Sequence, residues 1–163
     1  MIVDYKDFSH LRKKHKNEKI IFCSGSFDLL HAGHVLFLED CRKFGDILVV
    51  AVGDDAIVGI KGSNRPILNQ YVRIKMLDSL KVVDYCFIHK NINVPFLNSY
   101  TEEVLTLLKP DVWVINTDAS EINFREETAK KYNVDFRVLE RTCPSEFEEI
   151  STSKIIKKIK DTL

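Results

Sequence analysis

The chain has 163 residues, 45% of them hydrophobic, which suffices for one domain with a substantial core and excludes two domains of ordinary size. Its 24 Lys and Arg residues balance 24 Asp and Glu residues, so the formal net charge is zero and no overall field draws the protein to nucleic acid or to an anionic membrane. Any affinity for phosphate must be local. The first 19 residues lack the apolar core of a signal peptide and no segment could span a bilayer, so we expect a cytoplasmic protein.

Apolar runs of strand length alternate along the chain with segments of helical periodicity. A short helix over residues 5–16 is predicted to lead into the first strand. The predicted strands are residues 20–23, 47–52, 84–88, 112–115 and 134–139, and the helical segments between and after them are residues 35–44, 72–80, 104–108 and 153–160. This alternation predicts a parallel α/β sheet with helices on both faces. The polar stretch 53–69, which carries Gly59, Gly62 and Pro66, is predicted to be a loop.

The four cysteines are scattered singly, without the paired spacing of a zinc knuckle or a redox motif. We therefore predict buried free thiols, with no disulfide and no structural metal.

The first predicted strand is followed by Gly-Ser-Phe-Asp-Leu-Leu-His-Ala-Gly-His over residues 25–34. His31 and His34, three residues apart, stand at the start of the first sheet-covering helix, where free backbone N–H groups and the helix dipole attract anionic oxygens. Imidazoles can donate hydrogen bonds to charge developing on phosphorus. Gly33 permits close backbone approach, and Gly25 with Ser26 is expected to form a tight turn beneath the phosphates.

Other interpretations of the histidine pair remain open from these residues alone. The two rings could form a surface pair, or a metal site with Asp28 as the third ligand in a metal-dependent hydrolase. Asp28 could also hold the loop by accepting backbone N–H bonds.

The G-x-F-D-x-x-H-x-G-H string resembles the signature of the cytidylyltransferase-like nucleotidyltransferases. Further matches follow in the order expected for that family. They are Lys61-Gly62, Arg65-Pro66-Ile67, Arg73, Val83-Asp84 and Ile150-Ser151-Thr152-Ser153. The resemblance spans most of the chain and implies a single Rossmann-like domain over residues 1–163, with 1–19 as a lead-in segment and 142–163 as a loop and helix that close the site.

The resemblance also implies a reaction and a set of roles. A phosphate of a small phosphorylated alcohol or sugar attacks the α-phosphorus of a nucleoside triphosphate (NTP), which arrives with Mg²⁺ and needs no protein metal ligands. His31, His34 and Lys61 would be catalytic. The implied nucleotide-binding residues are Gly25, Ser26, Phe27, Arg73, Ser151, Thr152 and Ser153. The implied acceptor-binding residues are Asp28, Arg65, Asn116 and Asp118. Relatives of this kind are often homodimers.

Different segments of the chain resemble enzymes that use different donor nucleotides. Residues 61–67 and 108–111 look like the heptose 1-phosphate adenylyltransferases, whereas Arg141-Thr142 and Ile150-Ser151-Thr152 look like the cytidylyltransferases, such as the glycerol-3-phosphate enzyme. CTP is slightly preferred over ATP. Two segments depart from both groups: residues 115–120 lack the glycine-rich run, and the acidic insertion 143–149 puts the role of Arg141 in doubt. A nucleotide-binding protein without turnover is therefore the alternative of another class.

Overall fold

The computed structural model describes residues 1–90 and 98–162. The strands are β1 (Ile20–Gly25), β2 (Ile47–Gly53), β3 (Tyr85–His89), β4 (Val112–Asn116) and β5 (Asp135–Leu139). The helices of the described residues are α1 (Phe8–Lys14), α2 (Ala32–Arg42), α3 (Asp55–Gly59), α4 (Gln70–Asp78), α5 (Asn98–Glu103), α6 (Ile122–Lys131) and α7 (Thr152–Lys160). A 3₁₀ turn, Tyr5–Asp7, precedes α1, and a π-helical segment, Val104–Leu108, follows α5.

The five strands form one parallel sheet in the order β3-β2-β1-β4-β5. The chain builds outward from β1 to β3, returns to the other side of β1 as β4, and ends at β5. The order reverses between β1 and β4, and the carboxyl ends of such a pair open a crevice in which ligands of parallel α/β sheets bind. The predicted parallel α/β architecture is confirmed.

Each face of the sheet carries its own hydrophobic core. Strand residues alternate between the faces, so that Phe22, Phe87 and Trp113 pack with α1 and α6 in one cluster, while Cys23, Val50 and Val114 pack with α2 and α4 in the other. Burial on both faces explains why these strands are continuous apolar runs.

Three details differ from the sequence-based expectations. The stretch 53–69 contains α3, whose N-cap residue Asp54 accepts a 2.8 Å hydrogen bond from the Ile57 N–H. The lead-in segment belongs to the core, because Phe8 and Leu11 of α1 are buried. Cys143 is exposed, whereas the other three cysteines are buried free thiols.

Candidate active site

The loop after β1 turns at two residues other than glycine. Phe27 and Leu29 adopt left-handed backbone conformations, with φ of 49° and 51°. Gly25 ends β1 without a positive φ, so the expected glycine turn is wrong. A Cβ at Gly25 would lie 2.9 Å from the Phe27 ring, so the glycine instead makes room for that buried ring. Such strained turns are characteristic of functional loops.

His31 and His34 stack on each other where the loop enters α2. Their ring centroids are 3.8 Å apart with an angle of 24° between the planes, and Phe27 flanks His34 with a centroid distance of 5.3 Å. The Nδ1 atom of His31 is buried without a hydrogen-bond partner among the described residues. Gly33 permits this packing, because a Cβ there would lie 3.2 Å from the His31 ring and 3.3 Å from the Ile150 carbonyl oxygen.

The site lowers the pKa of both imidazoles and so favours their neutral forms. Burial, followed by the charge of Arg141, lowers the pKa of His31. Burial is also the largest cause at His34, and His31, Arg141 and Lys61 add to it and lower its pKa to about 3. Each neutral ring therefore offers one N–H donor, and a bound polyphosphate would favour protonation of the pair.

Asp28 holds the loop that carries Arg65. Its carboxylate accepts bonds from the Ile67 and Leu68 N–H groups at 3.0 Å and from Arg65 Nη1 at 2.7 Å. Burial alone would raise the pKa of Asp28, but these donors outweigh it and the pKa lies below its ordinary value. Both carboxylate oxygens are engaged, which supports the loop-holding role and leaves no oxygen of Asp28 free for an acceptor.

Arg73 lies behind the site rather than in it. It is completely buried and donates to the carbonyls of Leu68 at 2.8 Å and of Ser26 and Gly53 at 2.7 Å, and to Asp55 Oδ1 at 2.7 Å. The expected direct contact between Arg73 and a phosphate is wrong, because the guanidinium is used by the protein and cannot reach the site.

The last helix begins at the edge of the site. Ser151 is the N-cap of α7 and accepts a 3.2 Å hydrogen bond from the Lys154 N–H, while Thr152 Oγ1 donates to the Asp28 carbonyl at 2.5 Å. The hydroxyl of Thr152 thus ties α7 to the loop after β1, and the exposed Ser153 stands beside them.

The carboxyl end of β4 supplies the facing wall. Asn116 is the last residue of β4, and its Oδ1 is buried without a hydrogen-bond partner in the described part of the chain. Asp118 forms an ion pair with Arg141. Arg141 therefore lies in the site despite the acidic insertion, two of whose carboxylates, Glu148 and Glu149, pair with lysines of α7.

These elements enclose a cavity of about 700 Å³ at the carboxyl edge of the sheet. Every predicted site residue except Arg73 lines it. The cavity is also lined by Arg141, whose role the sequence left in doubt, and by Thr101, His89 and Arg125, which the sequence analysis missed. The position of His89 at the end of β3 is a signal that could have found it, whereas an arginine on a charged helix such as α6 looks like an ordinary solvated residue.

The residues of the described ranges form no group of three or more His, Cys, Asp or Glu side chains that could hold a metal ion. With Asp28 bound to Arg65, the alternative metal site of His31, His34 and Asp28 gains no support from the donor set. Across residues 1–90 and 98–162, no helix is both long and apolar enough to cross a membrane.

The chain resembles known proteins over most of its length. Residues 22–158 match the family model described as cytidylyltransferase-like. The chain is 35% identical over 150 residues to the bifunctional protein HldE of Campylobacter jejuni subsp. doylei and 37% identical over 147 residues to that of Helicobacter pylori. The matches cover 91% and 89% of this chain but only 29% and 28% of those relatives, so the chain spans less than a third of their length.

Solved structures share the fold. A lipopolysaccharide core biosynthesis protein from Thermoplasma volcanium superposes with a TM-score of 0.60 at 24% identity, over 77% of this chain and 97% of that one. Pantoate-beta-alanine ligase from Francisella tularensis gives 0.65 at 19% identity, over 98% and 77%.

Proposed function

Since the chain belongs to the cytidylyltransferase-like family, we propose that it is a nucleotidyltransferase, which transfers a nucleoside monophosphate from an NTP to a small phosphorylated acceptor. An oxygen of the acceptor phosphate forms a bond to the α-phosphorus, the bond from that phosphorus to the bridging oxygen of the β-phosphate breaks, and pyrophosphate leaves with the electron pair. No covalent enzyme intermediate is needed, so catalysis rests on positioning and electrostatic stabilisation.

The observation that carries this proposal is the stacked, neutral pair of His31 and His34 at the start of α2, lining a cavity beside Lys61. The rings are half-buried and stacked on each other, so their N–H groups need little reorganisation when charge develops on the phosphoryl oxygens. Lys61 is exposed on its loop and can supply a cation to the leaving pyrophosphate. The first turn of α2 adds free backbone N–H groups to the same anion site.

Mg²⁺ enters this proposal as part of the substrate. An NTP binds Mg²⁺ through its own phosphate oxygens, and the ion keeps several waters and needs few protein carboxylates. The residues that bind the Mg²⁺–NTP complex are those that hold the phosphates, and the proposed reaction requires no metal ligand from the protein.

The donor is CTP or ATP, and the acceptor is a polyol phosphate, a sugar 1-phosphate or an amino-alcohol phosphate. CTP has the support of the Ile150-Ser151-Thr152 segment, which resembles the cytidylyltransferases, and ATP has that of residues 61–67, which resemble the heptose 1-phosphate adenylyltransferases. The unpaired Oδ1 of Asn116 in the cavity wall can accept a hydrogen bond from an acceptor hydroxyl.

Pyrophosphate release tests the proposal directly. The chain is incubated with Mg²⁺ and each of the four NTPs against glycerol 3-phosphate, a series of hexose and heptose 1-phosphates, and phosphoethanolamine. We expect turnover with one donor, CTP or ATP, and one acceptor class. Tight NTP binding by calorimetry without pyrophosphate release from any pair would contradict the proposal and favour the nucleotide-binding protein without turnover.

A further inference from the structure

The charges on the cavity wall are not all neutralised within the protein. Among the described lining residues there are four cations, Lys61, Arg65, Arg125 and Arg141, and two carboxylates. Arg65 pairs with Asp28 at 2.7 Å, and Arg141 pairs with Asp118. Lys61 and Arg125 remain without a carboxylate, so the wall has a net positive charge although the chain as a whole has none.

Arg125 is held in place without a counter-ion. Its Nε donates to the Ser120 carbonyl at 2.9 Å, and its guanidinium carbon lies 5.9 Å from the centroid of the Trp113 ring. No carboxylate in the described ranges forms an ion pair with it; burial lowers its pKa, and the charge of Glu121 opposes this only in part. A partly desolvated cation that lacks a paired carboxylate is costly, and a bound anion would recover that cost.

His89 stands next to this guanidinium. It is the last residue of β3, is 7% exposed and lines the cavity. Burial is the largest cause that lowers its pKa, and the charge of Arg125 is the second; together they lower it to about 4, so the ring is neutral at pH 7. The Tyr5 hydroxyl lies 3.4 Å from His89 Nδ1, so the neutral ring belongs to the protein's own contacts and the guanidinium of Arg125 is the charged fork of this corner of the cavity.

This corner lies across the sheet edge from the histidine pair. Trp113 and Phe87, which pack beside Arg125 and His89, belong to the core on the α1 and α6 face. Phe27, which flanks His34, belongs to the core on the α2 and α4 face. One cavity thus has a cationic corner on each side of the edge, which matches a reaction between two phosphorylated substrates.

We propose that Arg125 binds the phosphate group of the acceptor, while Lys61 and the histidine pair bind the triphosphate. This inference rests on the proposed function and deepens it, because it assigns the acceptor's phosphate to an arginine outside the set of acceptor residues that the sequence predicts. Arg125 acts by binding and orienting the attacking phosphate.

Inorganic phosphate tests the subsite independently of turnover. The side-chain Nε–H signal of Arg125 is assigned in a nitrogen-15 NMR spectrum by its absence in Arg125→Lys, and phosphate is then titrated into the nucleotide-free wild-type protein. We expect that signal to shift and saturate. A signal that stays fixed while the amide signals of the first turn of α2 shift would overturn the subsite, whatever the turnover assay shows.

Steady-state kinetics, measured with the acceptor that the pyrophosphate screen identifies, are the second test of the Arg125 subsite. We expect Arg125→Gln to raise the acceptor KM about tenfold or more with little change in the NTP KM, and Arg125→Lys to restore part of the loss. Arg137→Gln, at an exposed arginine of β5 paired with Asp135, is the matched control and should behave as wild type. An unchanged acceptor KM in Arg125→Gln, or an equal rise in the acceptor and NTP KM values, would contradict the proposal. Absence of turnover in the wild type would count against the proposed function instead. In that case the phosphate titration decides whether Arg125 forms an anion subsite.

Discussion

The ring of His34 lies between the imidazole of His31 and the phenyl ring of Phe27, with centroid distances of 3.8 and 5.3 Å. Burial, the neighbouring His31 and the charges of Arg141 and Lys61 lower the pKa of His34, and Asp118 opposes them only in part, so the ring contributes an N–H donor to the site rather than a charge. The neutral state is useful because the carboxylates of the cavity wall, Asp28 and Asp118, already pair with Arg65 and Arg141, so two further positive charges beside Lys61 would be uncompensated.

We expect His34→Ala to lower kcat about a hundredfold or more, by analogy with removal of one preorganised donor from an oxyanion site. His10→Ala, at an exposed histidine of α1, is the control and should retain wild-type kcat. Urea denaturation of both variants separates loss of activity from loss of fold. A His34→Ala protein that is folded and retains more than a tenth of the wild-type kcat would contradict the assigned role.

The lowered pKa of His34 also predicts how stability depends on pH. An unfolded histidine takes up a proton as the pH falls through about 6.5, whereas folded His34 does so only near pH 3, so the unfolded state binds more protons between these values. The free energy of unfolding should therefore fall from pH 7 to pH 5, by about 2 kcal/mol from His34 alone. His31 and His89 act in the same direction.

Urea denaturation at pH 7 and pH 5 checks this sign. The fall in the wild type should be larger than the fall in His34→Ala, and the difference between them isolates residue 34. Equal falls in the two proteins would mean that His34 has an ordinary pKa in the folded state.

At the scale of elements, the site depends on how closely α2 approaches the turn before α7. Gly33, in the first turn of α2, faces the His31 ring on one side and the Ile150 carbonyl on the other, at 3.2 and 3.3 Å from an added Cβ. Ser151 caps α7 immediately after Ile150, so any shift at Gly33 moves the hydroxyls of α7 relative to the imidazoles.

Gly33→Ala should raise the NTP KM about tenfold, because either the His31 ring or the Ile150 backbone must move by a few tenths of an ångström. Stability should change by less than about 1 kcal/mol, since alanine is the better helix former. Gly59→Ala in α3 is the matched control, because its added Cβ meets nothing closer than 3.6 Å. Steady-state kinetics of both variants measure the NTP KM. Equal NTP KM values for the two variants would contradict the requirement for close packing at Gly33.

The acidic insertion over residues 143–149 faces α7 rather than the cavity. Glu149 pairs with Lys154 at 2.7 Å, and Glu148 lies 3.8 Å from Lys158, so both carboxylates face basic residues of α7. The hydrogen bond from Lys154 is the main cause that lowers the pKa of Glu149. In the described residues, no member of the 143–149 insertion lines the cavity, and Arg141 keeps its place in the wall.

At the scale of the whole molecule, Arg73 joins four separate parts of the chain. Its guanidinium connects the loop after β1, the end of β2, the start of α3 and the turn before α4 through four hydrogen bonds of 2.7 to 2.8 Å. These segments border the cavity, so the buried side chain of Arg73 holds several parts of the cavity wall in position relative to one another.

We therefore expect Arg73→Lys to lower the stability of the fold rather than to weaken nucleotide binding selectively. A lysine cannot reproduce the planar fork, so buried carbonyls lose their donors and the free energy of unfolding should fall by about 3 kcal/mol or more. Arg137→Lys, at an exposed position, should change it by less than about 0.5 kcal/mol. Chemical denaturation measures both values. A stable Arg73→Lys protein with a selectively raised NTP KM would instead restore the direct phosphate contact expected from the sequence.

The sequence predicts the sheet well, because strands buried on both faces must be apolar runs, as residues 47–52 and 112–115 are. The position of His31 and His34 could be predicted too, since a loop after the first strand of a parallel sheet lies at the ligand-binding edge. The burial of Arg73 behind the site and the position of Arg125 in the cavity wall could not be predicted, because both depend on contacts between distant segments. Gly25 likewise contributes space for Phe27, which no local pattern reveals.

The most direct test of the account is a crystal structure of the chain with Mg²⁺ and a non-hydrolysable analogue of the donor that turns over. We predict phosphate oxygens within hydrogen-bond distance of both the His31 and His34 rings, with Lys61 on the same polyphosphate and the α-phosphorus facing Arg125. Polyphosphate bound elsewhere, with the two imidazoles still stacked and making no contact to it, would contradict the account.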